Sequence, residues 1–239
     1  MESHPRIEHL NLNENEASAS SISAISLMIF SECNQIRKLD LGKQRFRQDE
    51  KIDIAAIAFA LEFDSTLLEL NLSFNSLQDQ DISALAASLE HNMSLQKLLL
   101  HNNSITDHGV QVLASALPKM RGLKEIWLHN NLFGSSAANA LIDATRRNLE
   151  LERAYIAKTS DHSLMEIQKH INYNLCLNMG GRRLLKAQDV CPSLWPLVFE
   201  RAVKMLRWGS YVNGRRAQAD VIFYLLQGPA LFERKEEGP

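Results

Sequence analysis

The sequence predicts a right-handed α/β solenoid, with a parallel sheet on its concave face, helices on its convex face and a helical cap at the C-terminal end. Three observations lead there. Six segments restart the same phrase: residues 7–15 (IEHLNLNEN), 36–44 (IRKLDLGKQ), 67–75 (LLELNLSFN), 95–103 (LQKLLLHNN), 123–131 (LKEIWLHNN) and 151–159 (LERAYIAKT). Their first residues are 29, 31, 28, 28 and 28 positions apart. Within a unit, apolar residues alternate first and then recur with helical spacing. A unit of this size is one strand plus one helix, which bury their apolar faces only against neighbouring units. Such an array has no enclosed pocket, and its working surface is the curved sheet.

In the third to fifth units the inward strand positions are Leu67, Leu70 and Leu72; Leu95, Leu98 and Leu100; and Leu123, Ile126 and Leu128, because side chains alternate along a strand. Fifteen residues after each phrase starts, the period becomes i, i+3, i+4, i+7: Ile82, Leu85, Ala86, Leu89; Val110, Leu113, Ala114, Leu117; Ala138, Leu141, Ile142, Thr145. Helix starts are marked by Asp79 or Asp81, Thr106 or Asp107, and Ser135 or Ser136, whose oxygens can accept from free backbone donors. Asn75, Asn103 and Asn131 close the strand phrase in register, and their amides are expected to bond the bend and the adjacent units.

The second unit departs from this pattern. Ile36 to Ile54 is eighteen residues, and the three extra ones fall within 42–50 (GKQRFRQDE), where Gln44 replaces the expected Asn. Lys43, Arg45 and Arg47 make this loop basic; it is either a solvated loop or a secondary docking element beside the concave face. The sixth unit weakens, with Ala154 for Leu, Thr159 for Asn and a displaced stripe of Leu164, Ile167 and Ile171, as one-sided packing at the end of an array allows. No capping segment is visible before Ile7, which leaves the first strand with an unpaired edge.

Residues between the inward leucines form columns across the sheet. One reads His9, Lys38, Glu69, Lys97, Glu125, Arg153, whose alternating signs serve solubility and register. The next reads Asn11, Asp40, Asn71, Leu99, Trp127, Tyr155, passing from polar to large apolar and aromatic residues. Exposed Trp and Tyr are typical anchors of interfaces, so a partner is expected on Leu99, Trp127 and Tyr155 with Lys97, Glu125 and Arg153 around them. The competing reading is that Trp127 and Tyr155 stack on each other or lie under the C-terminal segment. His101 and His129 fall one repeat apart in the following column; two imidazoles do not make a metal site, and polar contacts are the expected role.

The 28-residue period and the stretch 95–117 (LQKLLLHNNSITDHGVQVLASAL) closely resemble leucine-rich repeats of the ribonuclease-inhibitor type. The resemblance covers residues 7 to about 173 and implies a horseshoe arc. It also implies partner binding, which is what the ribonuclease inhibitors, Ran GTPase activators, actin-capping proteins and immune sensors of this class share. The array is thus assigned to residues 1–173 and a second region to 174–239. In that region Ser193, Pro196, Leu197, Val198, Arg201, Ala202 and Met205 suggest one helix, and 217–227 a second, ended by Gly228 and Pro229. Together with LNMGGRRLL they resemble a tail of protist leucine-rich repeat proteins. The expected role is to close the array, the alternative to recruit a second protein.

Function classes narrow accordingly. The sequence has no Gly-rich phosphate loop, no G-x-S-x-G and no H-E-x-x-H, so neither catalysis nor a cofactor or metal is expected. Three scattered cysteines, Cys33, Cys176 and Cys191, fit reduced thiols in the cytoplasm. The formal charge of -2 comes without a basic stripe, which argues against nucleic acid. No stretch approaches the roughly 18 apolar residues of a membrane span. The expectation is a monomeric, non-catalytic cytoplasmic adaptor or scaffold for a protein partner; the alternative is a regulator of a small GTPase acting through the strand-to-helix loops.

Overall fold

A computed structural model describes residues 7–31, 35–44, 52–157 and 161–179, together with Leu197 and Glu200. The order is β1 (His9–Asn11), α1 (Ala19–Phe30), β2 (Lys38–Asp40), α2 (Ile54–Phe63), β3 (Glu69–Asn71), α3 (Asp79–Leu89), β4 (Lys97–Leu99), α4 (Asp107–Ala116), β5 (Glu125–Trp127), α5 (Ser135–Arg147), β6 (Arg153–Tyr155) and α6 (His162–Met179). The six strands form one parallel sheet in sequence order, each helix returning the chain beside the strand just left. This is the α/β solenoid that the repeat predicts.

The core lies between sheet and helices. The strand register aligns Leu10, Leu39, Leu70, Leu98, Ile126 and Ala154 in a single inward row. The helical stripes meet it: Ile82, Leu85, Ala86, Leu89, Val110, Leu113, Ala114, Leu117, Ala138 and Leu141 are all buried. No helix could bury this stripe alone, so stability is shared across unit boundaries.

The asparagines bind the units together. Asn103 Oδ1 accepts from the backbone N–H of Asn75 at 2.9 Å and of Leu77 at 3.1 Å, while its amide donates to Leu72 O and Leu100 O at 3.1 and 2.9 Å. Asn131 repeats this on Ile105 N, Leu100 O and Leu128 O. Gln44, in the asparagine position of the second unit, joins units in the same way, donating to Leu12 O at 2.6 Å and accepting from Ala17 N at 3.3 Å. A second series of caps, not anticipated from sequence, closes the helix-to-strand bends. Asn92 donates to Leu61 O and Asp64 O and accepts from Leu95 N; Asn148 donates to Leu117 O and Met120 O and accepts from Leu151 N. Asn178 donates to Asn148 O and Leu151 O.

The helices start at Asp79, Asp107 and Ser135 as expected, and Asp81 accepts from the free Gln78 N–H at 2.7 Å, whereas Thr106 caps α4 without a side-chain bond to it. The N-caps of α3, α4 and α5 are Gln78, Thr106 and Gly134. Asp79 is instead drawn to the next unit, where its carboxylate accepts from Thr106 N at 2.8 Å and from the Thr106 hydroxyl. Asp107 accepts likewise from Gly134 N at 2.7 Å. These carboxylates stitch one helix N-terminus to its neighbour, a use that local capping rules do not reveal. Gly109 is what permits the first junction, because a Cβ there would lie 2.5 Å from Asp79 Oδ1.

At the last strand Gln168 of α6 donates to Ala154 O at 2.7 Å and accepts from Ile156 N at 2.8 Å, satisfying the backbone beside β6. Most of the C-terminal region assigned from sequence, including nearly all of both helices expected there, lies outside the described residues; Leu197 and Glu200 are helical. No helix among the described residues is long and apolar enough to cross a membrane.

Candidate functional site

The register places the columns read from sequence side by side. His9, Lys38, Glu69, Lys97, Glu125 and Arg153 form one row of partners, and Asn11, Asp40, Asn71, Leu99, Trp127 and Tyr155 another. The first row is an ion-pair chain: Glu69 lies 3.6 Å from Lys38 and 3.1 Å from Lys97, and Arg153 lies 2.7 Å from Glu125.

The second row divides the concave face in two. At its N-terminal half Asn71 donates to Asp40 at 2.9 Å, and Asp40 accepts from Gly42 N at 2.9 Å. These polar groups satisfy one another and offer little to a partner. At the C-terminal half the ring of Trp127 sits 5.0 Å from that of Tyr155, edge to face, and 5.5 and 5.7 Å from His101 and His129. The two imidazoles stack in parallel at 4.7 Å. Lys97 Nζ lies 5.5 Å over the indole, a cation–π contact. Trp127 and Tyr155 thus touch each other and still present surface, Tyr155 being 42% exposed.

Two expected members are placed differently. Leu99 is only 8% exposed, because it lies low in the register between Asn71 and Trp127; it is the floor of the aromatic patch rather than an exposed anchor. Glu125 is also buried, and it holds the indole: Trp127 Nε1 donates to its Oε1 at 2.6 Å. The secondary loop is seen only at Lys43, which pairs with Glu14 at 2.8 Å; Arg45 and Arg47 lie outside the described residues.

Phe74 is a member of the patch that sequence reasoning missed. Its ring meets His101 edge-on at 5.7 Å, and its backbone is left-handed, φ 59°. The same turn position is left-handed at Glu14, Lys43, Asn102 and Asn130, and asparagine tolerates that geometry far better than phenylalanine. Phe74 therefore carries strain at a turn that Asn102 and Asn130 adopt readily. The available sequence signal was Phe standing where later units have Asn.

His101 is half-buried at the centre of the cluster, where it meets Phe74, Trp127 and His129. Burial, and the nearby His129, push its pKa down to about 4, and its Nδ1 is enclosed without a hydrogen-bond partner. The imidazole is therefore neutral at physiological pH, a polar atom inside an otherwise apolar wall. No group of three or more His, Cys, Asp or Glu that could hold a metal occurs among the described residues.

A family model described as "Leucine Rich repeat" matches residues 64–86 and 91–114. The third and fourth units are thus leucine-rich repeats, and the other units share their strand-and-helix build. Among solved structures, the actin-binding site 2 of leiomodin-1 is similar with a TM-score of 0.61 and 18% identity, over 72% of this chain and 96% of that one. The tropomodulin C-terminal domain from Caenorhabditis elegans gives a TM-score of 0.58 and 16% identity, over 70% of this chain and 98% of that one. At these identities the likeness is one of leucine-rich repeat fold. No curated protein matches the sequence.

Proposed function

We propose that the protein is a non-catalytic leucine-rich repeat module that grips a partner protein on the C-terminal half of its concave face, acting as an adaptor or scaffold in the cytoplasm. The observation that carries this reading is the cluster of Phe74, His101, Trp127, His129 and Tyr155, five rings joined by ring-to-ring contacts on a face that no helix of the described residues covers. Pre-stacked aromatics expose apolar area without freedom to lose on binding, which suits them to anchor an interface. Lys97 and Arg153 supply a charged rim. The leiomodin-1 domain of similar fold is named as an actin-binding site, so an array of this length suffices to hold a protein. Affinity purification from the native cell, with Trp127→Ala as control, tests the reading: a partner retained by the wild type and lost by the variant supports it, and equal recovery removes it.

A further inference from the structure

The convex face carries a second surface of different chemistry. Two residues beyond the buried stripe positions Ile25, Ile57, Leu85, Leu113 and Leu141, the outward column reads Leu27, Phe59, Ala87, Ser115, Asp143. Two beyond Ile29, Leu61, Leu89, Leu117 and Thr145, it reads Ser31, Phe63, His91, Lys119, Arg147. The first column runs from apolar to polar along the array, and the second turns from Phe63 to His91, Lys119 and Arg147. The later units have the surface expected of a solvent-facing helix. The first two do not: Leu27, Phe30, Phe59 and Phe63 are 70%, 48%, 59% and 60% exposed. The three phenylalanines form a closed triangle of rings, with centroids 5.3–5.8 Å apart. Nothing in repeat packing requires them, because the buried stripes of α1 and α2 are complete without them.

The electrostatics of this corner are one-sided. Neither α1, α2 nor α3 contains a lysine or arginine, and Glu62 stands beside Phe63 at the end of α2. Phe30 and Phe63 are also the last residues of their helices, where the partial negative charge of the backbone carbonyls gathers. Glu62 makes no ion pair among the described residues. Basic side chains of the helical face, among them Lys119, Arg146, Arg147 and Lys169, belong to the later units. An anionic membrane surface would favour those units, not this corner.

We propose that the Leu27, Phe30, Phe59, Phe63 surface is a second docking site, and that it takes a basic amphipathic helix of a partner protein, whose apolar face covers the phenylalanines while its lysines or arginines meet Glu62 and the helix C-termini. The site is separate from the concave face and does not depend on it. The protein would then hold two partners at once, one on each face.

The test uses the full chain and two fluorescent 18-residue peptides with leucines at i, i+3, i+4 and i+7 and either lysine or glutamate elsewhere. The lysine peptide is expected to bind saturably. Its affinity should fall at least tenfold with Phe59→Ser plus Phe63→Ser and again with Glu62→Lys, and stay unchanged with Trp127→Ala. Because Glu62 is exposed, its variant decides the matter even if the double variant folds poorly. Equal binding of the glutamate peptide, or lysine-peptide binding that survives both variants, overturns the proposal. So does a concentration-dependent dimer in sedimentation equilibrium that Phe59→Ser dissolves, which would assign the patch to a second copy of this chain.

Discussion

Trp127 donates its indole N–H to Glu125, two residues back on the same strand, at 2.6 Å. Consecutive outward positions of one strand lie on the same face, so the carboxylate fixes the ring that stands beside it. Arg153 closes on the same carboxylate at 2.7 Å from the neighbouring strand. The largest ring of the concave patch is therefore placed before any partner arrives.

Removing that brace has a defined cost. Glu125→Ala leaves the indole N–H without its acceptor and Arg153 without its counter-charge, and is expected to lower stability by about 1–3 kcal/mol. Urea unfolding of the two proteins checks it; Arg153→Ala, at an exposed position, should cost under about 1 kcal/mol.

Phe74→Asn separates stability from binding. Asparagine occupies the equivalent left-handed turn at Asn102 and Asn130, so the variant should gain about 1 kcal/mol in stability. It also removes the ring against His101 and should weaken partner capture. Thermal unfolding and partner affinity, measured on the same preparation, read the two effects, which run in opposite directions.

Asn103→Ala breaks the joint between the third and fourth units. Two backbone N–H groups and two carbonyls lose their partner. The expected loss is about 3 kcal/mol or more, since a buried unsatisfied group costs about 1–3 kcal/mol. Asn103→Asp keeps the acceptor and loses the donors, and should fall between wild type and Ala on the same urea titration.

What the sequence made legible follows from its periodicity. The 28-residue step and the alternation around Leu98 and Ile126 set both the sheet order and the columns that meet in it. Positions inside a repeat were readable because every unit votes on them. Features that appear once were not. The burial of Leu99 depends on the size of its neighbours, the role of Asp79 on Thr106 in the next unit, and the Phe30, Phe59, Phe63 triangle on the offset between two helices. The second cap series at Asn92 and Asn148 was repetitive yet broken at Met120, which hid it.

The depressed pKa of His101 gives the fold a pH dependence of known sign. An unfolded histidine titrates near 6.5, whereas in the folded chain His101 titrates at about 4. Between those values the unfolded state binds more protons, so this contribution to stability is intact above pH 6.5 and is lost progressively as pH falls towards 4. Melting temperatures at about pH 7.5 and about pH 5, on either side of the unfolded pKa, should differ less in His101→Gln than in the wild type. An equal difference would show that other groups carry the effect.

The central claim is that the stacked rings around Trp127 form the partner-binding surface. Its most direct measurement is the dissociation constant of the purified native partner for wild type and Trp127→Ala, with Met93→Ser, exposed in the connection between α3 and β4, as control. A loss of about 2 kcal/mol, roughly thirtyfold, in the Trp127 variant alone is the predicted result. Equal affinity of all three proteins, with the fold of each intact, would contradict it.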